Sequence, residues 1–533
     1  MRLVLVALLA LVQLIGCSAT RFADRPVVWR VDDARAIAEP AEREFLVKRY
    51  MAEVFLTDSL PRLFELRDLE PARDTNAMDE VPDSTWFTNR IGVRHISPEE
   101  GARGADKTGP PRLPITVVGA KSGGTNPGFL ARDTTGRTFV VKFDPKANPE
   151  IQTAADAVVS RIFWAAGYNV PSDHVFDFAR ADLIIQDGSV CEDGEKYRTL
   201  LRDTQIESIL AQTPRQADGR YRAIASLFLS GVPKGGIALT GTRLDDPNDR
   251  VDHEHRRVLR GLRALAAWTG HSDIKEDNTL DMYVTEDGRK FIRHFLVDFG
   301  AALGGHAAEK GRMEDGFEHW IDWQLQLQAT LAFGFWKRPW EDRKESRWLS
   351  VGPFESASFE PSRWREAYPY APFAEADSAD LYWGAKLVMR FDRPLLEAIV
   401  KTGQYSDPEA AEYVVQTLLD RRDKVGRTWL EAVSPLDNPR IEGRRLCVTD
   451  LGVRFGLATS GSVAVRDEFG GLLSETGVDR HGDLCLPLPS EVARDGYHVM
   501  RLQTRRGRHH RPQMEIHLRL DGTPRVVGLR RAP

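Results

Sequence analysis

Apolar and polar positions alternate with period two in the stretch that follows residue 114. Ile115-Thr116-Val117-Val118, Phe129-Leu130-Ala131-Arg132 and Thr138-Phe139-Val140-Val141-Lys142-Phe143 each predict a short strand. The glycine-rich run 119–128 between the first two predicts a turn. From 150 to 166 the period changes. Ile151, Ala155, Val158, Val159, Ile162 and Phe163 recur three or four apart, behind Asn148-Pro149 and ahead of Gly167, which predicts a helix with one apolar face. Strands are expected again at 175–178 and 183–186, followed by a polar insertion over 187–220 and a glycine-rich turn at 230–236. An amphipathic helix is expected over 252–268. A hairpin is expected from Met282-Tyr283-Val284 and Phe295-Leu296-Val297 around Thr285-Glu286-Asp287-Gly288.

The flanks have a different character. Residues 29–64 carry a helical stripe, and 101–114, rich in Gly, Pro and charge, read as a linker. Beyond Gly300 the pattern is helical, and Trp320, Trp323, Trp336 and Trp340 are expected in its core because apolar residues surround them. Pro435 and Pro439 break that pattern. Short alternating stretches at 462–465, 497–502, 514–518 and 525–529 then predict a small β-sandwich, with a basic cluster at Arg501, Arg505, Arg506, Arg508, His509, His510 and Arg511 expected on a solvated hairpin, contact with anionic lipid headgroups or glycan being the alternative. The fold class is α+β.

The first residues are expected to be a targeting segment. Arg2 precedes an apolar run from Leu3 to Ile15, too short to span a bilayer, and Leu14-Ile15-Gly16-Cys17 resembles the bacterial lipobox. That resemblance implies a signal peptide over 1–16, lipidation of Cys17 and a body tethered in the bacterial cell envelope. Ser18 after the cysteine implies sorting to the outer membrane. Composition adds little to this. With 533 residues, 42% hydrophobic, the chain can bury more than one core, and a net charge of −5 gives no reason to expect nucleic acid. Beyond Cys17 there are Cys191, Cys447 and Cys485, too few for a disulfide framework. Cys447 and Cys485 are expected either to pair in an oxidising envelope or to stay as buried thiols.

Candidate chemistry centres on His271-Ser272-Asp273-Ile274-Lys275-Glu276-Asp277-Asn278, with Asp298-Phe299-Gly300 after the hairpin. A five-residue step from Asp273 to Asn278 lets one tight loop present both side chains to one cleft, while the hairpin sets Asp298 at a strand end. A carboxylate that receives a hydroxyl proton, and an amide plus a second carboxylate that hold a divalent cation, are what phosphoryl transfer needs. Upstream, Lys142 ends a strand, Gly123 and Gly124 lie in the glycine-rich turn, and Glu150 and Asp156 are both candidate acids for pairing with Lys142. The glycine run matches neither G-x-G-x-x-G nor the Walker pattern. His253-Glu254-His255 could suggest a metal, but two histidines two apart on a helix point to different sides.

These motifs resemble the protein kinase-like superfamily. Asp273 and Asn278 fit H-R-D-x-x-x-x-N with Ser272 in place of the arginine, Asp298-Phe299-Gly300 fits D-F-G, and Val140-Val141-Lys142 is similar to the V-A-I-K strand. With no Ala-Pro-Glu downstream, the pattern looks closer to atypical bacterial branches such as the HipA-type and CotH-type kinases. The motif resemblance covers about 115–303. It implies a two-lobed kinase-like body, with an N-terminal lobe over 111–233 and a helical lobe over 234–434, between a 17–110 adapter and a 440–533 β-sandwich. It implies a nucleotide such as ATP bound by Lys142, Gly123, Gly124 and Glu150 or Asp156. Mg²⁺ would sit on Asn278 and Asp298, with Asp273 as base toward an unknown hydroxyl acceptor. A catalytically inactive binding module of the same fold is the rival expectation, because an envelope compartment is poor in ATP.

Overall fold

The computed structural model describes residues 21–57, 69–120, 127–192, 198–306, 309–333, 335–489 and 493–532. The chain is a mixed α+β protein with several sheets and divides into two compact units. One unit comprises Trp29–Thr75 and Val81–Ala432. The other comprises Val433–Ala532, Asn76–Glu80 and the residues up to Val28.

The larger unit holds a seven-stranded sheet in the order β4-β7-β3-β2-β1-β5-β6. Its strands are β1 (Ile115–Ala120), β2 (Gly128–Arg132), β3 (Thr138–Lys142), β4 (Asp173–Phe178), β5 (Leu183–Glu192), β6 (Arg198–Leu200) and β7 (Tyr221–Leu227). The alternation read in the sequence sets its core: Ile115, Val117, Phe129, Ala131, Phe139 and Val141 point to one face and are at most 1% exposed. The described parts of 187–220 are more regular than the polar pattern suggests. They complete β5, form β6 and carry a helix, Asp203–Ala211, whose Ile206 and Leu210 join that same core.

Helix α1 (Ile151–Ala166) packs Ala157 against Val175 of β4 and Ile224 of β7. The sequence suggests one apolar face, yet the helix is buried on nearly every side, Trp164 being its one half-buried residue. The many alanines leave no bulk on the second face, so other segments close over it. Asp144, just beyond β3, supplies the missing cap. Its carboxylate accepts from the backbone N–H groups of Gln152 and Thr153 at 2.8 and 2.9 Å and from the Thr153 hydroxyl at 2.7 Å. This contact ties the end of β3 to the start of α1.

The expected helix over 252–268 is broken. A 3₁₀ turn (His253–His255) leads into a short turn of helix (Arg257–Arg260) and then α2 (Leu262–Thr269). The break falls at Gly261, where a Cβ would lie 2.5 Å from the Trp383 ring. Three more helices, α3 (Trp323–Leu331), α4 (Ser378–Val388) and α5 (Arg393–Lys401), precede α6 (Pro408–Trp429). Trp268 anchors α2 to α6 by donating to the Leu418 carbonyl at 2.7 Å. Of 29–57, only Val47–Ala52 and a following π turn are helical, so this described part of the stripe is less helical than its periodicity suggests. The four tryptophans expected in a core are not core residues. Trp320 is 46% exposed, Trp323, Trp336 and Trp340 are half-buried, and only Trp323 among them is helical. Their indole N–H groups explain this in part: those of Trp323 and Trp340 donate to the Phe55 carbonyl and to Glu318 at 2.9 and 2.6 Å.

The smaller unit contains two antiparallel sheets. Strands β13 (Leu436–Glu442), β14 (Arg445–Asp450) and β17 (Asp483–Pro487) form one. The other runs β16 (Leu472–Gly477), β15 (Ser462–Arg466), β18 (Tyr497–Arg506), β19 (His509–Arg519) and β20 (Arg525–Arg531). One buried cluster draws Leu446, Val448 and Leu486 from the first sheet and Leu502, Met514 and Ile516 from the second. Cys447 and Cys485 face each other in register on β14 and β17 and form a disulfide. Three arginines of the basic cluster are paired with acids: Arg501 with Glu515 at 3.0 Å, Arg505 with Glu475 at 3.3 Å and Arg506 with Asp450 at 2.6 Å. No helix among the described residues is long and apolar enough to cross a membrane. The 1–16 segment, Cys17, Gly123 and Gly124 lie outside the described residues.

Candidate active site

The site is assembled from one strand end, one helix and both ends of a hairpin. The hairpin pairs β9 (Thr279–Glu286) with β10 (Arg289–Leu296) through Asp287 and Gly288, at φ 48° and 75°. Two left-handed residues in a two-residue loop make a turn whose twist matches the strands, and Asp-Gly is a favoured pair for it. Full register down to Thr279 opposite Leu296 brings the two open ends together, and the Val297 N–H donates to the Asn278 carbonyl at 3.0 Å. Asn278 at one end and Asp298 at the other are thus neighbours by backbone geometry. The turn expected at 230–236 supplies β8 (Val232–Pro233), which extends this hairpin as a third strand alongside β9.

Lys142 ends β3 opposite Gly128, the first residue of β2, and is 6% exposed. Its Nζ lies 2.8 Å from Asp156 Oδ2 and 2.9 Å from Asp298 Oδ1. Burial alone would lower the pKa of this ammonium. The two carboxylates outweigh burial and hold it above the ordinary lysine value, so Lys142 stays charged. Between the two candidate acids the structure distinguishes clearly. Asp156, in the second turn of α1, meets Lys142, whereas the Glu150 carboxylate accepts from the Ser406 N–H at 3.0 Å.

Asp156 has a second partner. Its Oδ1 accepts from the Phe299 N–H at 2.7 Å, so one carboxylate joins the strand lysine to the residue after Asp298. Phe299 is 1% exposed and packs on Phe163 of α1 and on His271, with ring centroids 5.2 and 5.7 Å apart. Burial lowers the His271 pKa, so its ring serves as a neutral packing element. Asp298 adopts φ 62°, a left-handed conformation that non-glycine residues seldom take, though Asp tolerates it better than most. Such backbone strain collects at functional sites.

Asp273 sits in the loop between α2 and β9. Asn278 Nδ2 donates to the Asp273 carbonyl and carboxylate at 2.7 and 2.9 Å, which fixes their relative orientation. The amide oxygen of Asn278 is thereby the atom left to meet a cation. Lys275 was not singled out by sequence reasoning, yet its Nζ lies 3.0 and 3.1 Å from the two Asp273 carboxylate oxygens and 5.2 Å from the Tyr368 ring centroid. Its place two residues after Asp273 was the available signal. Ser272, where the motif has arginine, is buried, and its carbonyl accepts from the Ala367 N–H at 2.8 Å. Asp173 was also missed. It is buried beside Lys142 and Asp156 and takes a hydrogen bond from the Ser226 hydroxyl.

His253 belongs to a different, structural cluster. Its Nε2 lies 2.8 Å from Asp249 and its Nδ1 2.7 Å from the Ala238 carbonyl, while Arg256 reaches the other Asp249 oxygen at 2.6 Å. Asp249 thus anchors a buried polar cluster, and nearby Arg243 bonds to Asp281 at 3.0 Å.

No protein-family model and no curated protein matches the chain. Among solved structures, the Golgi casein kinase with Mn/ADP bound is similar at 11% identity and a TM-score of 0.28, over 60% of this chain and 72% of that one. A second structure of the Golgi casein kinase gives 10% identity and a TM-score of 0.28, over 60% and 71%. A TM-score this low does not establish a shared fold.

Proposed function

We propose that the protein is an atypical kinase of the bacterial envelope that transfers the γ-phosphoryl group of a nucleotide such as ATP to a hydroxyl. The observation that carries this reading is the convergence of Lys142, Asp156 and Asp298 on one buried charge centre, with Asn278 beside Asp298 and bonded to Asp273. In it the chain is a two-lobed kinase-like body followed by a C-terminal β-sandwich. The shared core of the two terminal sheets and the sheet-then-helices order of the larger unit support that architecture.

The residues have separable tasks. Lys142, held charged and immobile, neutralises and positions phosphate oxygens. Asp156 fixes Lys142 and, through the Phe299 N–H, the backbone that carries Asp298. Asp273 accepts or orients the acceptor hydroxyl proton, and Lys275 holds its carboxylate in place. Asn278 and Asp298 would hold Mg²⁺, and their hard oxygen atoms suit it. When bound, the ion supplies charge stabilisation on the phosphates.

Cys17 is the lipid anchor in this reading and places the body at the outer membrane. The Cys447–Cys485 disulfide fits an oxidising compartment. The test is a thermal-shift titration of the chain with nucleotides, with and without Mg²⁺. A Mg²⁺-dependent rise in melting temperature is expected, and a flat response across nucleotides would contradict the reading.

A further inference from the structure

In the smaller unit, the turn between β15 and β16 carries an uncharged run, Phe469-Gly470-Gly471-Leu472-Leu473. Phe469 is 90% exposed, Leu472 57% and Leu473 66%. Large apolar side chains exposed together mark contact with a partner or a membrane. The turn is built to present them. The Asp467 carboxylate accepts from the Phe469 and Gly471 N–H groups at 2.9 and 2.6 Å, and Arg466 donates to the Gly470 carbonyl at 2.9 Å.

Strand register fixes which end of the sheet this tip occupies. β15 pairs Ser462 with Arg505 and Arg466 with Arg501, so the hairpin runs toward the end where Tyr497 of β18 faces Arg519 of β19. The first described residues sit at that same end. Arg21 pairs with Asp495, the Phe22 N–H donates to the Tyr497 hydroxyl at 2.9 Å, and the Phe22 ring packs on His517 at 4.8 Å between centroids. Gly528 makes room for that ring, since a Cβ there would lie 2.3 Å from it. Asp24 then bonds Arg525, the first residue of β20, at 2.6 Å. Cys17 stands four residues before Arg21, a reach of at most about 14 Å. The hairpin lies two to three strand spacings across the sheet from β19, about 10–14 Å. The opposite end of the sheet is basic, with Arg505, Arg506, Arg508 and His509 at the β18–β19 turn.

We propose that the β15–β16 tip is a bilayer contact: Phe469, Leu472 and Leu473 enter the boundary between headgroups and acyl chains of the membrane that holds Cys17. The proposal rests on the lipid-anchor reading of Cys17. A lipid there stays within its short leash of the Tyr497 end, so that end of the sheet, and not the basic one, faces the bilayer. Three apolar side chains alone hold a protein on a membrane only weakly. Beside an anchor they meet the bilayer at high effective concentration and fix how the smaller unit stands on it. Glu468, exposed next to Phe469, keeps its charge at headgroup level and limits the tip to interfacial depth.

The experiment separates the tip from the anchor. A chain from Ser18 to Pro533, which keeps every described residue, carries a hexahistidine tag before Ser18 and is held on nickel-chelating vesicles of phosphatidylethanolamine and phosphatidylglycerol. In a Cys191→Ala background the introduced thiol is the only free one, since Cys447 and Cys485 form a disulfide. Bimane is attached through Phe469→Cys, or through Arg508→Cys at the basic end, and its quenching by lipids spin-labelled along the acyl chain is recorded. Strong quenching at 469 and none at 508 is expected, and adding Leu473→Asp to Phe469→Cys should abolish most of it. No quenching at 469, as when a second copy or another protein covers the tip, would overturn the proposal whatever Cys17 carries. Equal quenching at both sites, or quenching at 508 alone, would overturn it too. The anchor is read separately, from the mass of the Cys17 peptide of the protein purified from membranes. A bare Cys17 would overturn the anchor reading, and the natural orientation with it, whatever the vesicles show.

Discussion

Lys142 Nζ lies 2.8 Å from Asp156 Oδ2, a buried pair that joins the last residue of β3 to the second turn of α1. Removing one partner of a buried pair leaves an uncompensated charge, which costs about 3–5 kcal/mol. Asp298 still faces Lys142 at 2.9 Å, so Asp156→Ala is expected to lose roughly 3 kcal/mol, the low end of that range. Glu150→Ala, which loses the hydrogen bond from the Ser406 N–H but leaves no buried charge unpaired, is expected to cost about 0.5–1.5 kcal/mol. Urea unfolding of both variants checks this, and equal losses would contradict the assignment of Asp156 as the partner.

Asp173 gives a pH signature. Burial, and then the charge of Asp156, push its carboxyl up to about 7 from an ordinary 3.8. A raised carboxyl pKa means the folded chain holds the proton more tightly than the unfolded one. Its contribution is therefore fully present below pH 4 and is lost as pH rises through 7. Asp173→Asn, which keeps an oxygen for the Ser226 hydroxyl, should remove that loss. The variant is expected to exceed wild type at pH 8 by on the order of 1–4 kcal/mol and to match it near pH 4, read from urea midpoints. A difference that does not change with pH would exclude this titration.

Much of this site was legible in the sequence because it depends on local order. The Asp273-to-Asn278 step, the Asp-Gly turn and the strand ending at Lys142 are short-range features, and the structure brings Lys142, Asn278, Asp273 and Asp298 together as their spacing implied. The choice between Glu150 and Asp156 was not legible, because it depends on how α1 rotates against β3. That rotation is fixed by Asp144 capping from outside the helix. The tryptophans at 320, 323, 336 and 340 lie outside the core for a related reason: apolar neighbours in sequence do not say which element covers a ring. Lys275 was overlooked although its position beside Asp273 was local.

Membrane association tests the N-terminal reading. If Cys17 is lipidated as proposed, the protein is expected to fractionate with membranes, and Cys17→Ser to release it to the soluble envelope fraction. Retention of the unacylated variant in the membrane would contradict the lipobox assignment.

The divalent-cation assignment is tested by Asp298→Ala. Ligand linkage gives about 2.7 kcal/mol of stabilisation at a hundredfold excess over Kd, which is readily visible in a melting curve. The variant is expected to fold and to lose the Mg²⁺-dependent part of the nucleotide shift. A shift equal to that of the wild type would remove Asp298 from the site.

In the proposed reaction Asp273 acts on the acceptor hydroxyl while Lys142, Asn278 and Asp298 hold the nucleotide. Asp273→Asn keeps the size and hydrogen-bonding shape of the side chain but removes the charge that Lys275 and Asn278 orient. General-base contributions are about 10²- to 10⁴-fold. The most direct measurement is transfer of label from γ-labelled nucleotide, including autophosphorylation, beside a nucleotide-binding isotherm for wild type and Asp273→Asn. Near-normal nucleotide binding by the variant is expected, with transfer reduced by about that factor. Transfer that survives in Asp273→Asn, or its absence in the wild type across a broad acceptor panel, would contradict the proposed reaction.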